Sequence, residues 1–132
     1  MNFLKNFFKE TSSEESESSK EDVKYFQLDK MEQFDEIDEI SATKSIVIFK
    51  HSTRCSISRM ALKQFDAEFN YPEEKIVWYL LDLLHHRDLS NEIASRYNVV
   101  HQSPQIVVIR NGKAVFNESH DSISAEDLKQ FT

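Results

Sequence analysis

The chain has 132 residues and a formal net charge of -7, a length for one domain and a balance without the basic patch that a nucleic-acid-binding module needs. One cysteine excludes an internal disulfide and points to a reducing, cytoplasmic setting. One glycine, Gly112, excludes the glycine-rich loops that cradle nucleotide phosphates, and no apolar run is long enough to cross a membrane.

Residues 1–10 set Phe3, Leu4, Phe7 and Phe8 along one side of a short helix, with no signal-peptide pattern. Ten residues bury too little to hold the protein on a membrane by themselves. Residues 11–22 are Ser/Glu low complexity, so residues 1–22 are expected to be a flexible N-terminal extension. The folded domain is expected over 23–132, with a short edge strand within Val23 to Leu28. Met31, Phe34, Ile37 and Ile40 recur at helical spacing and predict a helix over 30–40. Residues 45–50 predict a buried strand. Ile57, Met60, Ala61, Phe65 and Phe69 predict a helix over 56–69 with those residues on its inner face. Ile76 to Leu81 is nearly all apolar, as in a strand covered on both faces. Leu89, Ile93 and Tyr97 mark another helix, with Asp88 or Ser90 as its N-cap. Pro104 leads a strand over 105–109, Asn111-Gly112 is a hairpin turn, and 113–118 is the returning strand. Ser124 is placed to cap a last helix bearing Leu128 and Phe131. The order predicts an α/β protein with a central mixed sheet and helices on both faces. This is the order of the thioredoxin fold.

Cys55 stands where the strand 45–50 turns into the following helix. Its sulfur is expected near free backbone N–H groups and the positive end of the helix dipole, with Arg54 next to it. That setting makes a cysteine nucleophilic, and it predicts thiol–disulfide exchange. Dithiol members of this fold carry a second, resolving cysteine three residues on. Here that residue is Ser58, so Cys55 must stop at a mixed disulfide and wait for an external thiol.

The stretch Phe49-Lys50-His51-Ser52-Thr53-Arg54-Cys55-Ser56-Ile57-Ser58 resembles the monothiol bacilliredoxins. So do Leu81-Asp82-Leu83 with Arg87, Val100-His101-Gln102-Ser103-Pro104-Gln105, and Glu118-Ser119-His120. The blocks span roughly residues 44–125 and do not reach 1–22. The resemblance implies removal of bacillithiol from mixed disulfides on proteins through Cys55. Bacillithiol is then a co-substrate, no cofactor is bound, and an NADPH-dependent flavin reductase of bacillithiol disulfide closes the cycle. Pro104 is expected in the cis form facing Cys55, with the Ser103 backbone free to pair with an incoming thiol. Ser56 stands where relatives often have proline.

Arg54 is a candidate for the carboxylates of the malyl group of bacillithiol. Thr53 and Ser56 are candidates for hydrogen bonds to the sulfur or for capping, and His51 and His101 flank the site and titrate near neutral pH. Cys55, His51, His101 and His120 match no metal-site spacing, so no metal is expected. The competing reading is a non-catalytic binding or redox-sensing module on the same fold, tethered by its N-terminal extension.

Overall fold

The structure is a computed structural model that describes residues 24–132. The expected N-terminal helix, the Ser/Glu linker and Val23 lie outside the described residues.

The elements are β1 (Tyr25–Gln27), α1 (Gln33–Ile40), β2 (Ser45–His51), α2 (Ser56–Glu68), β3 (Ile76–Asp82), α3 (Arg87–Tyr97), β4 (Gln105–Arg110) and β5 (Lys113–Ser119), followed by short 3-10 helices at His120–Ser122 and Ala125–Phe131. The strands form one sheet in the order β1-β3-β2-β4-β5. β1 and β2 run parallel to β3, whereas β4 is antiparallel to β2 and β5. This is the thioredoxin fold.

Strand alternation divides the core between two faces. Ile46, Ile48, Tyr79, Leu81, Val107 and Ile109 pack with Phe34 and Ile37 of α1 and Leu89, Ile93 and Tyr97 of α3. Val47, Phe49, Trp78, Leu80, Ile106 and Val108 pack with Phe65 and Phe69 at the end of α2 and with Ile123, Ala125 and Leu128. Phe65 meets Trp78 and Phe49 edge-on, with ring centroids 4.9 and 5.3 Å apart. These contacts fix α2 on the sheet, and α2 in turn fixes the loop that carries Cys55.

The hairpin turn forms at Asn111 and Gly112, both at positive φ (53° and 73°), as a type I′ turn requires. It is tied to the end of α1, because Ser41 Oγ accepts the Gly112 N–H at 2.9 Å and Ser41 O accepts the Asn111 N–H at 2.8 Å.

Four local expectations are corrected. Ile57 and Met60 of α2 point outward, 57% and 71% exposed, because the inner face of α2 is the row Ser58, Ala61, Leu62 and Phe65, which they do not share. Met31 precedes α1 and is exposed. α3 begins at Arg87, so His86 holds the N-cap position and neither Asp88 nor Ser90 does. The last helix is a 3-10 helix; Ser124 stands at its N-cap without a side-chain capping bond.

Candidate active site

The loop between β2 and α2 is short and internally bonded. Cys55 N–H donates to Ser52 O at 3.2 Å, which closes a turn over Ser52-Thr53-Arg54-Cys55. Cys55 then occupies the N-cap of α2 with extended backbone angles (φ -104°, ψ 122°), and its carbonyl accepts the Arg59 N–H at 3.0 Å. Its side chain is half-buried. The sulfur therefore belongs to the first turn of a thirteen-residue helix whose leading N–H groups no side chain caps.

Ser58 is fully buried on that first turn. Its Oγ accepts the Ser52 N–H at 2.9 Å and lies 2.7 Å from His51 Nδ1. The hydroxyl thus joins the backbone of the loop to the His51 ring. Burial holds His51 below the usual histidine range; Asp82 opposes this and the charge of Arg59 adds to it. His51 is thus a buried partner of Ser58 whose surroundings disfavour its charged form.

The other candidates divide by position. Thr53 and Arg54 are exposed, and Thr53 contributes its carbonyl to Arg59 Nη1 at 3.1 Å. Among the described residues Arg54 has no ion-pair or side-chain hydrogen-bond partner. Ser56 opens α2 and is exposed; neither it nor Thr53 caps the helix.

The Ser103–Pro104 peptide is cis and Pro104 is buried. The Pro104 carbonyl accepts the His120 N–H at 3.0 Å, and His120 adopts positive φ (58°), a conformation in which histidine is among the commoner non-glycine residues. Ser103 Oγ is buried and has no hydrogen-bond partner among the described residues. His120 also borders a groove of about 480 Å3 with Ile57, Met60, Ala61, Gln64, Asp121 and Ile123. The two exposed apolar residues of α2 therefore line a surface that begins two residues from Cys55.

The sequence reading missed Lys50. It lies on the opposite face of β2 from His51 and Phe49, fully buried. Its Nζ donates to His101 Nδ1 at 2.7 Å and to Gln105 Oε1 at 3.2 Å. Burial pushes its pKa down to about 8. His101 is exposed at the surface, and its pKa is lowered by burial of the ring and by the charges of Lys50 and Arg87. A lysine that ends an apolar strand reads as a solvated residue; only its register opposite Gln105 would have hinted otherwise.

Among the described residues no three His, Cys, Asp or Glu side chains come together to hold a metal ion. Among them, too, no helix is long and apolar enough to cross a membrane.

These features define a thioredoxin-fold protein with one cysteine at the start of the helix after the first central strand and a buried serine in the resolving position. Residues 26–128 match the family described as Monothiol bacilliredoxin BrxC. The chain belongs to the monothiol bacilliredoxin family, a thioredoxin-fold oxidoreductase family. It is similar to a solved thioredoxin-fold protein assigned provisionally as an oxidoreductase, with 34% identity over 81% of this chain and 92% of that one and a TM-score of 0.69. Two thioredoxins share the fold at low identity. The Malassezia sympodialis protein is 18% identical over 80% of this chain and 85% of its own, with a TM-score of 0.63. The Fasciola hepatica protein is 20% identical over 80% and 93%, with a TM-score of 0.58.

Proposed function

We propose that this protein removes bacillithiol from mixed disulfides on cytoplasmic proteins, with Cys55 as the nucleophile. The observation that carries the reading is Ser58, buried and hydrogen-bonded in the place of a resolving cysteine. A chain with one thiol finishes an exchange only with help from outside. Membership of the monothiol family supports the same reading.

The Cys55 thiolate attacks the bacillithiol sulfur of a client mixed disulfide. The client–bacillithiol S–S bond breaks, the client cysteine leaves as a thiolate and takes a proton, and a Cys55–bacillithiol disulfide forms. A free bacillithiol thiolate then attacks the bacillithiol sulfur of that adduct. Cys55 is released, and bacillithiol disulfide carries away the oxidising equivalents. A flavin-dependent reductase returns it to two thiols with two electrons from NADPH. The N-terminal turn of α2 stabilises the negative sulfur as attacker and as leaving group. The backbone of Ser103 before cis-Pro104 is suited to pair with the incoming disulfide, and Ile57 and Met60 offer a client apolar contact beside the sulfur.

Intact-mass spectrometry of the reduced protein mixed with a bacillithiolated client tests this. The adduct mass is expected to move onto Cys55, to leave when free bacillithiol is added, and to be absent from Cys55→Ser. Turnover that persists in Cys55→Ser sinks the proposal.

A further inference from the structure

Lys50 is the only buried lysine, arginine or carboxylate among the described residues. It has neutral partners only, His101 and Gln105. A buried cation without a counter-ion is costly, and here its field reaches the surface through protein of low dielectric rather than through water.

The geometry also fixes what His101 presents. An ammonium has no lone pair, so Lys50 Nζ must donate and His101 Nδ1 must accept. The imidazole proton is therefore on Nε2, which makes that nitrogen a fixed donor on the exposed side of the ring. The loop is held in place independently. Gln105 Nε2 donates to Val100 O at 3.1 Å, and Gln105 Oε1 accepts the Gln102 N–H at 3.4 Å.

His101 borders a small cleft with Leu83, Arg87, Ser90 and Asn91. The cleft holds about 170 Å3, room for a small acid group when one water occupies roughly 30 Å3. Arg87, Asn91 and His101 bring donors to it, and no carboxylate lines it. It opens beyond the C-terminal ends of β2 and β3, the edge from which the Cys55 loop leaves the sheet.

We propose that this cleft is a carboxylate subsite that takes the malyl end of the low-molecular-weight thiol while the thiol's sulfur is bonded to Cys55. The assignment rests on the exchange reaction proposed above. Arg87 supplies the planar fork suited to a carboxylate, with the His101 Nε2–H and the Asn91 amide beside it. Lys50 is a positioning residue: it sets the His101 tautomer and the local field without touching the ligand. Arg54, the expected partner of the malyl group, stands exposed on the turn before Cys55.

The test compares two adducts on one client, bacillithiol and mercaptoethanol, the second of which has no carboxylate. Arg87→Gln in the full chain is expected to slow transfer of bacillithiol by about tenfold, the loss of one charge-assisted contact, and to leave transfer of mercaptoethanol unchanged. Equal slowing of both, or of neither, overturns the subsite. Binding is read separately, so that failure of exchange does not decide it. Titration of isotope-labelled full-length protein with unreactive S-methyl bacillithiol is expected to shift the side-chain resonances of Arg87, Asn91 and His101, and Arg87→Gln is expected to abolish the shifts. No shift in the unaltered chain overturns the subsite whatever the turnover. Equal response to inorganic phosphate overturns the malyl assignment. Lys50→Met is expected to convert His101 from one tautomer to a mixture, read in its ring nitrogen shifts, and to weaken the preference for bacillithiol. Retention of both overturns the role of Lys50.

Discussion

Ser58 Oγ lies 2.7 Å from His51 Nδ1 and accepts the Ser52 N–H at 2.9 Å. The side chain in the resolving position is thereby committed to holding the loop that precedes Cys55. Removing the hydroxyl leaves the Ser52 N–H and the His51 Nδ1 without this partner. Ser58→Ala is expected to cost about 1–3 kcal/mol, the range for such losses. Urea unfolding at constant m-value measures it; a change near zero would show that the loop does not depend on this hydroxyl.

Ser58→Cys tests the monothiol chemistry from the opposite direction. A thiol three residues after Cys55, on the same helix turn, attacks the Cys55 adduct from within. The bacillithiol adduct is expected to leave without added thiol, and the protein mass to settle at that of an internal disulfide, two hydrogens lighter. An adduct as long-lived as in the unaltered chain would show that position 58 does not reach the sulfur.

Lys50 makes a stability prediction against function. Its pKa in the fold is about 8 against an ordinary 10.5. At pH 7 the fold carries the penalty of a buried charge, on the order of 3 kcal/mol at ~1.4 kcal/mol per unit. Lys50→Met keeps the shape and removes the charge, although His101 and Gln105 lose a donor. A net gain of about 1–2 kcal/mol is expected, seen as a rise of several degrees in Tm at pH 7. Between pH 8 and 10.5 the folded protein has released a proton that the unfolded chain still holds, so the stability of the unaltered chain rises with pH across that window. The advantage of Lys50→Met should therefore shrink toward pH 10. A Tm difference independent of pH would refute the buried charge as its cause.

Glu118 of β5 faces Asp127 of the C-terminal 3-10 helix. Burial, the hydrogen bond to Asp127 and its negative charge push the Glu118 carboxyl from 4.5 up to about 7, against the Ser124 N–H, which lowers it. Between pH 4.5 and 7 the folded state holds more protons than the unfolded one, so stability falls as pH rises through that window. Glu118→Gln is expected to raise Tm at pH 8 and to leave it nearly unchanged at pH 4.5. Thermal melts across this range check the slope, and a parallel pair of curves would refute it.

Acid acts on the two histidines that flank the site. His51 is held below 6.5 by burial and His101 by burial and by Lys50. Below pH 6.5 the unfolded chain takes up protons that the folded histidines refuse, so both contribute stability that is lost as pH falls from 6.5 through their depressed values. His51→Gln is expected to flatten that part of the stability curve.

The path to the fold was open in the sequence wherever periodicity and local chemistry carry the information. Ile46 to Phe49 and Ile76 to Leu81 are apolar at every position because each strand is covered twice. Asn111-Gly112 specifies its own turn through positive φ. Cys55 and Ser58 are three residues apart on a helix start, so their neighbourhood follows from local geometry alone. Helical spacing misplaced Ile57 and Met60, because the row that faces the sheet begins at Ser58, a polar residue that an apolar pattern passes over.

The sequence by itself determined the order of strands and helices along the chain, the single cysteine and the lack of a second thiol, since each depends on residues close together in the chain or on counting residue types. The tertiary structure alone decided where the charges lie. Lys50 and His101 are 51 residues apart in the chain, and their pairing depends on β2 and β4 being neighbours in one register. Arg87 borders the same cleft as His101 because α3 packs over the same end of the sheet. Whether a lysine at a strand end is solvated or buried is settled by what covers it, and the covering segment is remote in sequence.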